Sequence, residues 1–354
     1  MSIAQSVLDG NRLALARLLT QIENNTLEGR RALNELFPHT GNAHLIGVTG
    51  APGTGKSSLV NYLARHYRLP GESDPRQVAI VAIDPSSPFT GGAILGDRVR
   101  MRDLSGDPGV FIRSMASRGS LGGLATATSS VVQVLDAAGF GIILIETVGA
   151  GQAEVDIARL AHTTIVIEAP GFGDDIQAIK AGILEIADIL VVNKADRPGA
   201  ELTERALRSM LQLANPSPRP FTNRVGGSVE SQPIERETIL QESVTSQGQE
   251  SPVKEVPVWV TPIQRTVATD GRGVPALAQA IANHYRYLQD SGELKRREQA
   301  RLKAELDLLL RETLVSRWRE TVLEGEYNQA LHRLVLREIS PWQAVESLMS
   351  GDFP

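Results

Sequence analysis

The sequence has no cysteine among its 354 residues, and aromatic residues make up only 4% of it. The absence of cysteine excludes disulfides, thiolate metal sites and cysteine nucleophiles. No apolar run approaches the roughly 20 residues that a membrane-spanning helix needs. The first 20 residues are amphipathic, with Asp9 and Arg12 among the apolar positions, which is not the pattern of a secretory signal. These features favour an ordinary globular protein, which we expect to be cytoplasmic.

Basic residues are in the minority. The 36 Lys and Arg residues face 41 Asp and Glu residues, so the formal net charge is −5. Nucleic acids and anionic membranes are bound through basic patches. We therefore expect neither a nucleic-acid partner nor a membrane partner. The length suits one large domain with appendages, or two domains.

Short apolar runs, separated mostly by helical segments or long loops, recur through the middle of the chain. Because these runs are apolar on both faces, they predict buried strands of a mostly parallel sheet flanked by helices, which is an α/β fold. In such sheets, ligands bind beyond the carboxyl ends of the strands. The predicted strands are 44–49, 78–83, 141–145, 164–167 and 189–192, with 258–260 as a weaker candidate.

Three segments differ from this main domain, which we place at residues 41–288. Residues 1–40 have leucines at helical spacing, which predicts an N-terminal extension of two helices. Residues 215–256 open with three prolines and continue rich in Ser, Gln and Glu, which predicts a flexible insertion or a small surface hairpin. Residues 289–354 combine dense charge with leucines at helical spacing, which predicts helices that cap the core or form a dimer arm.

A phosphate-binding motif follows the first predicted strand. Residues 50–57 match the Walker A pattern at every fixed position, between a strand and a predicted helix at 58–65. Backbone N–H groups of such a loop surround the β-phosphate at a helix N-terminus. The lysine reaches the β- and γ-phosphates, and the following hydroxyl binds Mg²⁺. The alternative is a glycine-rich turn without function. The residues are Gly50, Ala51, Pro52, Gly53, Thr54, Gly55, Lys56 and Ser57, and we expect the Ser58 amide to face a phosphate as well.

A guanine-reading motif follows the strand at 189–192. It comprises Asn193, Lys194 and Asp196 in the pattern NKxD. The Asp196 carboxylate can accept hydrogen bonds from the ring N–H and the 2-amino group of guanine, a pair that adenine lacks. The Lys194 stem would stack on the purine, and Asn193 would either bind the base or brace the phosphate loop. The alternative is a strand end with a polar turn.

A second contact with the base is expected from residues 266–268, which are Thr266, Val267 and Ala268. In GTP-binding proteins a backbone amide of a Ser-Ala turn touches the guanine carbonyl. Here Val267 replaces the usual serine, so the amide contact is retained and the supporting hydroxyl is not. The expected ligands are therefore GTP and GDP together with Mg²⁺.

Three acids lie at predicted strand ends or in loops that could border the phosphates. They are Asp84, Asp97 and Glu146. A carboxylate in such a position can hold Mg²⁺, directly or through water, or orient the attacking water. The residues do not distinguish these roles, and each acid has the alternative of a strand-end cap. Gly149, three residues after Glu146, would offer its N–H to the γ-phosphate.

Several long stretches of the sequence belong together as one pattern, namely residues 47–57, 82–87, 96–101, 113–119, 146–152 and 173–182. Together they resemble the methylmalonyl-CoA mutase-associated GTPases. The resemblance covers roughly residues 5–290, without 215–256.

The resemblance implies a homodimeric GTPase that docks on an adenosylcobalamin-dependent acyl-CoA mutase and gates the loading and removal of its cofactor. It also implies that Asp84, Asp97 and Glu146 surround Mg²⁺ and the hydrolytic water. Residues 169–180 match a third switch loop, with Lys180 as the contact with the mutase, and residues 289–354 match a dimerisation arm. The chain departs from the family pattern at Val267, at His162, where an acid is common, and in the 215–256 insertion.

Other classes of GTPase or ATPase compete with this interpretation. Nickel metallochaperone GTPases share a similar core but hold metal through Cys or His clusters, whereas this chain has no cysteine and only six histidines. An older label for similar sequences is a transport-linked ATPase or kinase, and the NKxD motif argues against ATP. A protein-targeting GTPase would need a Met-rich module, and the chain has five methionines.

Overall fold

The structure is a computed structural model that describes residues 2–69, 76–85, 104, 106–117, 123–147, 153–171, 185–213, 258–321 and 324–350. The side chains of 84–85, 116–117, 123–125, 153 and 324 are not described. The chain divides into two compact units, residues 1–301 and 302–354.

Seven parallel strands form one sheet in the first unit, in the order β3-β2-β4-β1-β5-β6-β7. The expectation of a mostly parallel α/β sheet is confirmed. The strands are β1 (His44–Gly50), β2 (Val78–Pro85), β3 (Val110–Ser117), β4 (Ile142–Thr147), β5 (Thr163–Glu168), β6 (Ile189–Val192) and β7 (Ile263–Arg265).

The two edge strands, β3 and β7, depart from the sequence prediction. Neither carries a continuous apolar run, because an edge strand is covered less completely and tolerates polar residues. The predicted strand at 258–260 is wrong, since the strand begins only at Ile263. Val258 and Val260 are exposed, while the indole N–H of Trp259 donates to the carbonyl of Asp188.

Helices cover both faces of this sheet. Three short helices open the chain instead of the predicted two, because Asn11 and Thr26 cap new helix starts with their side chains. The helices of the first unit are α1 (Ile3–Leu8), α2 (Arg12–Glu23), α3 (Leu27–Leu36), α4 (Lys56–Arg68), α5 (Gly123–Ala137), α6 (Ala153–Leu160), α7 (Ala200–Leu213), α8 (Val274–Asp290) and the first residues of α9 (Glu293–Thr321).

Two main hydrophobic clusters lie on opposite faces of the sheet. On one face, α1 to α3, α5 and α6 pack on the strands, with Leu18, Leu36 and Leu135 fully buried. On the other face, α4 and α8 pack on the strands through residues such as Leu59 and Ile281. Burial on both faces explains why the central strands are apolar at nearly every position.

The second unit, residues 302–354, is helical. Its described residues comprise the rest of α9, α10 (Glu324–Val335) and α11 (Pro341–Ser350). α10 and α11 contact each other, and Ala330 and Ala344 are buried. The prediction of a helical C-terminal region is confirmed, and its role as a dimerisation arm stays a prediction. No helix in the described part of the chain has the length and apolar character to cross a membrane.

Candidate nucleotide-binding site

Those predicted site residues that the structure describes lie at one edge of the sheet. Because all strands run parallel, the segments that follow Gly50, Thr147, Val192 and Arg265 leave the sheet at its carboxyl edge. The hydroxyls of Thr49 and Thr147, near the ends of the adjacent strands β1 and β4, are 3.1 Å apart. Segments from both halves of the chain thus meet around the first βα turn.

The phosphate loop connects β1 directly to α4. α4 begins at Lys56, two residues earlier than predicted. Its N-cap is Gly55, which has no side chain to occupy the N–H groups of the first turn. Such a helix start presents several N–H groups and a positive partial charge to an anion. The local backbone therefore suits a phosphate group.

Two glycines of this loop are required by close contacts as well as by backbone angles. Gly50 and Gly55 have φ angles of 141° and 97°. A Cβ on Gly50 would lie 2.1 Å from the carbonyl oxygen of Ile167, and a Cβ on Gly55 would lie 2.4 Å from Nδ2 of Asn193. The third glycine of the motif thus allows the guanine motif to reach the phosphate loop.

Lys56 lies inside the phosphate loop. Its side chain is buried, and its Nζ donates to the carbonyls of Gly50 at 2.8 Å and Ala51 at 3.0 Å. The ammonium group is therefore held within the curl of the loop, where the β- and γ-phosphates of a nucleotide bind in P-loop proteins.

Ser57 and Glu146 form a buried pair between α4 and the end of β4. The Ser57 hydroxyl donates to Oε1 of Glu146 at 2.6 Å, and both residues are buried. A hydroxyl beside a carboxylate is a set of oxygen ligands of the kind that Mg²⁺ takes in proteins. These two residues therefore fit a magnesium ion.

The other predicted phosphate-side residues are described only in part. The backbone of Asp84 lies near the end of β2, in which Ala82 pairs with Glu146, so Asp84 also lies at the carboxyl edge. Its side chain is outside the description, as are Asp97, Gly149 and the segment 172–180 with Lys180. The 215–256 insertion also lies outside the described residues.

Asn193 connects three loops of the site. It is buried, with 1% of its surface exposed. Its Nδ2 donates to the carbonyl of Thr54 at 2.7 Å, and its Oδ1 accepts from the Thr266 hydroxyl at 3.1 Å and the Ala268 amide at 3.0 Å. These are the contacts of a brace between the phosphate loop and the predicted base loop.

The remaining base-site residues lie around this brace. Lys194 has a φ of 55°, and its Nζ donates to the carbonyl of Gly53 at 2.6 Å. The Asp196 carboxylate is exposed, and the Ala195 amide donates to the carbonyl of Thr266 at 3.0 Å. The two segments predicted to read guanine, 193–196 and 266–268, are thus hydrogen-bonded to each other. Asp196, in the first of these segments, is exposed to solvent.

A second polar cluster, absent from the sequence prediction, lies at the opposite, amino edge of the sheet. Asp188 precedes β6 and is 1% exposed. Its carboxylate accepts from the Thr164 amide at 2.8 Å and from both terminal nitrogens of Arg297 at 3.2 Å, and it lies 3.2 Å from Nε2 of His284. Arg297 also donates to the carbonyl of His162 at 2.7 Å. The start of α9 is therefore joined to the sheet by a buried ion pair.

Two titratable groups beside this cluster, His44 and Glu298, have shifted pKa values. Burial, followed by the nearby His162, holds the pKa of His44 well below its ordinary value. A hydrogen bond from His162, at 3.0 Å, lowers the pKa of Glu298 to about 2. Among the described residues, no group of three or more His, Asp or Glu side chains is arranged to hold a metal ion.

Comparison with known proteins identifies the family. The protein-family model described as methylmalonyl Co-A mutase-associated GTPase MeaB matches residues 15–322 of this chain. The chain belongs to the MeaB family. The resemblance that the sequence motifs indicated is thereby confirmed, and this member is a GTPase.

Individual relatives agree with this assignment. A putative GTPase of Pyrococcus abyssi is 39% identical over 340 residues, covering 96% of this chain and 93% of the relative. A Caenorhabditis elegans protein named methylmalonic aciduria type A homolog, mitochondrial, is 28% identical over 316 residues, covering 84% and 69%. The crystal structure of a LAO/AO transport system kinase superposes with a TM-score of 0.63 at 22% identity, covering 98% and 95% of the two chains. This last likeness supports the P-loop fold.

Proposed function

We propose that this MeaB-family GTPase is a chaperone of an adenosylcobalamin-dependent acyl-CoA mutase of the methylmalonyl-CoA type. In this role it gates the loading of the cofactor and protects or reactivates the mutase. The observation that carries the proposal is the match over residues 15–322 to a family described as mutase-associated. The name of the Caenorhabditis elegans relative points to the same metabolism. The proposed client is therefore a cobalamin enzyme.

The nucleotide is proposed to bind along the carboxyl edge of the sheet. Asp196 reads the guanine ring N–H and 2-amino group. In the turn 266–268, the Ala268 amide, which donates to Oδ1 of Asn193, is shared with the guanine carbonyl. Asn193 and Lys194 hold the base loop against the phosphate loop, as their contacts with Thr54 and Gly53 support. The phosphates are held by the loop 50–55, Lys56, Ser57, Ser58 and Gly149.

Hydrolysis is proposed to take place beside the Ser57–Glu146 pair. Water attacks the γ-phosphorus, the bond to the β,γ-bridging oxygen breaks, and GDP and phosphate are formed. Lys56 stabilises the negative charge on the β- and γ-phosphates. Ser57, Asp84, Asp97 and Glu146 are the residues that would hold Mg²⁺, which when bound neutralises charge on the phosphate oxygens. One of the three acids orients the attacking water.

Signalling to the mutase is proposed to begin at the γ-phosphate. β2 and β4 end at the carboxyl edge, and the segments that follow them contain Asp97 and Gly149. We expect the γ-phosphate, when bound, to favour one arrangement of both segments. Residues 169–180 transmit this state, with Lys180 as the contact with the mutase, and residues 289–354 join two copies of the chain. Because the sequence marks no obvious arginine finger, turnover of the isolated protein is expected to be slow, below about 1 s⁻¹.

A nucleotide-dependent pull-down tests the client. The tagged full-length chain is incubated with native lysate in GDP, in a non-hydrolysable GTP analogue and without nucleotide. Captured proteins are identified by mass spectrometry and examined for cobalamin absorbance. We expect an acyl-CoA mutase whose recovery depends on the nucleotide. The control bait, Lys56→Ala, loses a charge-assisted phosphate contact and should capture the mutase equally in every condition.

The decisive measurement uses this GTPase and the captured mutase after both have been purified. The rate at which adenosylcobalamin transfers to the captured mutase should change severalfold between GTP and its non-hydrolysable analogue. Absence of a cobalamin enzyme under every nucleotide condition would contradict the proposal. Recovery of a nickel enzyme would favour the metallochaperone alternative, and tighter binding of ATP than of GTP would favour the transport-linked ATPase alternative.

A further inference from the structure

The loop at residues 266–272, which joins β7 to α8, is closed mainly around one residue. The Val267 amide donates to the carbonyl of Arg272 at 2.9 Å. The Val267 carbonyl accepts from the amides of Asp270 at 3.2 Å and Gly271 at 3.0 Å. The bond from Asp270 closes a β-turn whose two central residues are 268 and 269. Because all of these bonds lie within the loop, contacts from outside it set the position of this turn relative to the rest of the site.

The first outside contact is the hydrogen bond from the Ala268 amide to Asn193, described above. The second comes from α4. The Tyr62 hydroxyl donates to the carbonyl of Thr269 at 2.8 Å, and the two residues are 207 positions apart in the sequence. The segment that is proposed to meet the guanine carbonyl is thus held from both sides.

The Tyr62 ring is also fixed in place. It lies against Gly271, where a Cβ would come within 2.8 Å of the ring carbon Cδ1. The guanidinium carbon of Arg65 lies 5.4 Å from the ring centroid on the same helix, at the distance of a cation–π contact. Since Gly271 has a φ of 81°, both its backbone angle and its lack of a side chain suit this contact. The hydroxyl therefore reaches Thr269 from a restrained ring.

We propose that Tyr62 is a positioning residue for the guanine carbonyl. It ties the base loop to α4, the helix that begins at the phosphate loop with Lys56. The base contact and the phosphate contact are thereby held at a constant separation, and less ordering is needed when the nucleotide binds. This inference rests on the proposed base site.

The substitution Tyr62→Phe isolates the hydroxyl, because the ring and its contact with Gly271 remain. Loss of one net hydrogen bond in the positioning of the loop corresponds to a change of about three- to tenfold in affinity. The loss should concern only nucleotides that carry a carbonyl at purine position 6. The chemical step at the γ-phosphate should be unaffected.

Three diphosphates distinguish the base contacts. GDP has the 6-carbonyl, the ring N–H and the 2-amino group, inosine diphosphate keeps the carbonyl and the ring N–H, and 2-aminopurine riboside diphosphate keeps only the 2-amino group. Dissociation constants are measured by competition with a fluorescent GDP. In Tyr62→Phe, GDP and inosine diphosphate should weaken by the same factor, and the 2-aminopurine nucleotide should not change. KM for GTP should rise with kcat constant.

The control is Tyr287→Phe, which removes a tyrosine hydroxyl on α8 beside Trp259 and should leave all three constants unchanged. Unchanged GDP affinity in Tyr62→Phe would overturn the inference, and so would equal weakening of all three nucleotides. If the wild-type protein bound the 2-aminopurine nucleotide as tightly as GDP, the proposed base site would itself fail. Failure of the proposed function thus appears in the wild type, and failure of this inference appears in the variant.

Discussion

Replacement of Asn193 by alanine should separate the base loop from the phosphate loop. The side chain is 1% exposed and makes hydrogen bonds to Thr54, Thr266 and Ala268. Asn193→Ala removes all three bonds at once. Because the partners belong to the two segments proposed to hold the ends of the nucleotide, we expect a loss of nucleotide affinity together with a smaller loss of stability.

The magnitude follows from the partners left behind. Each neutral hydrogen bond contributes about 0.5–1.5 kcal/mol net, and a buried donor or acceptor left unsatisfied costs about 1–3 kcal/mol. The total free-energy cost of losing the three bonds, with water replacing part of them, is about 3–4 kcal/mol. If two thirds of this appears in binding, the dissociation constant for GDP should rise about 50-fold.

A graded series makes the reasoning quantitative. Thr266→Val removes one of the three bonds while it keeps the shape of the side chain, so it should raise the dissociation constant only about threefold to fivefold. Nucleotide affinity is measured by titration with a fluorescent GDP. The unfolding midpoint in urea is measured for each variant, so that the loss of affinity is separated from the loss of stability.

The test compares the increases in the GDP dissociation constant that Asn193→Ala and Thr266→Val cause. A change of less than about fivefold in Asn193→Ala would refute the brace, because the three bonds could then contribute little to the bound state. An effect of Thr266→Val equal to that of Asn193→Ala would also refute it, since a single bond would then account for the whole change.

Further predictions concern the buried ion pair, pH and base specificity. Asp188→Asn should lower the free energy of unfolding by about 3–5 kcal/mol, because Arg297 is left as an uncompensated buried charge, and a cycle with Arg297→Met should recover part of the loss in urea titrations. Stability should fall as pH drops below about 6.5, because the depressed pKa of His44 makes only the unfolded state take up a proton, and the loss between pH 7 and 5 should shrink in His44→Gln. It should fall again from about pH 4.5 towards 2, the window between the ordinary and the native pKa of Glu298, and this second drop should shrink in Glu298→Gln. Asp196→Asn should transfer preference from GDP to xanthosine diphosphate in competition binding, and retained preference for GDP would contradict the base site.

The central strands were predictable because their environment is uniform. β1, β2, β4, β5 and β6 are covered by helices on both faces, so their residues are apolar at nearly every position. The edge strands β3 and β7 are covered less completely, and their mixed composition carries no comparable signal. The predicted strand at 258–260 failed for the converse reason, since Val258 and Val260 are apolar but exposed, outside the sheet.

The motifs of the site were predictable because their chemistry is local. A loop that surrounds a phosphate needs glycines, one lysine and one hydroxyl in consecutive positions. The contacts between motifs were not predictable, because they join residues far apart in the chain. Asn193 reaches Thr54 across 139 positions, and Tyr62 reaches Thr269 across 207.

The sequence by itself determined the type of fold, the ligand class and the family, because consecutive residues encode a buried strand, a phosphate loop and a guanine-reading turn. Only the tertiary structure decided how these parts are joined. It placed Ser57 against Glu146, fitted Asn193 beside Gly55, and gathered Asp188 and Arg297 at the opposite edge of the sheet. The physical reason is that hydrogen bonds and ion pairs between distant segments depend on the packing of the whole sheet, whereas a turn or a helix start depends on a few neighbouring residues.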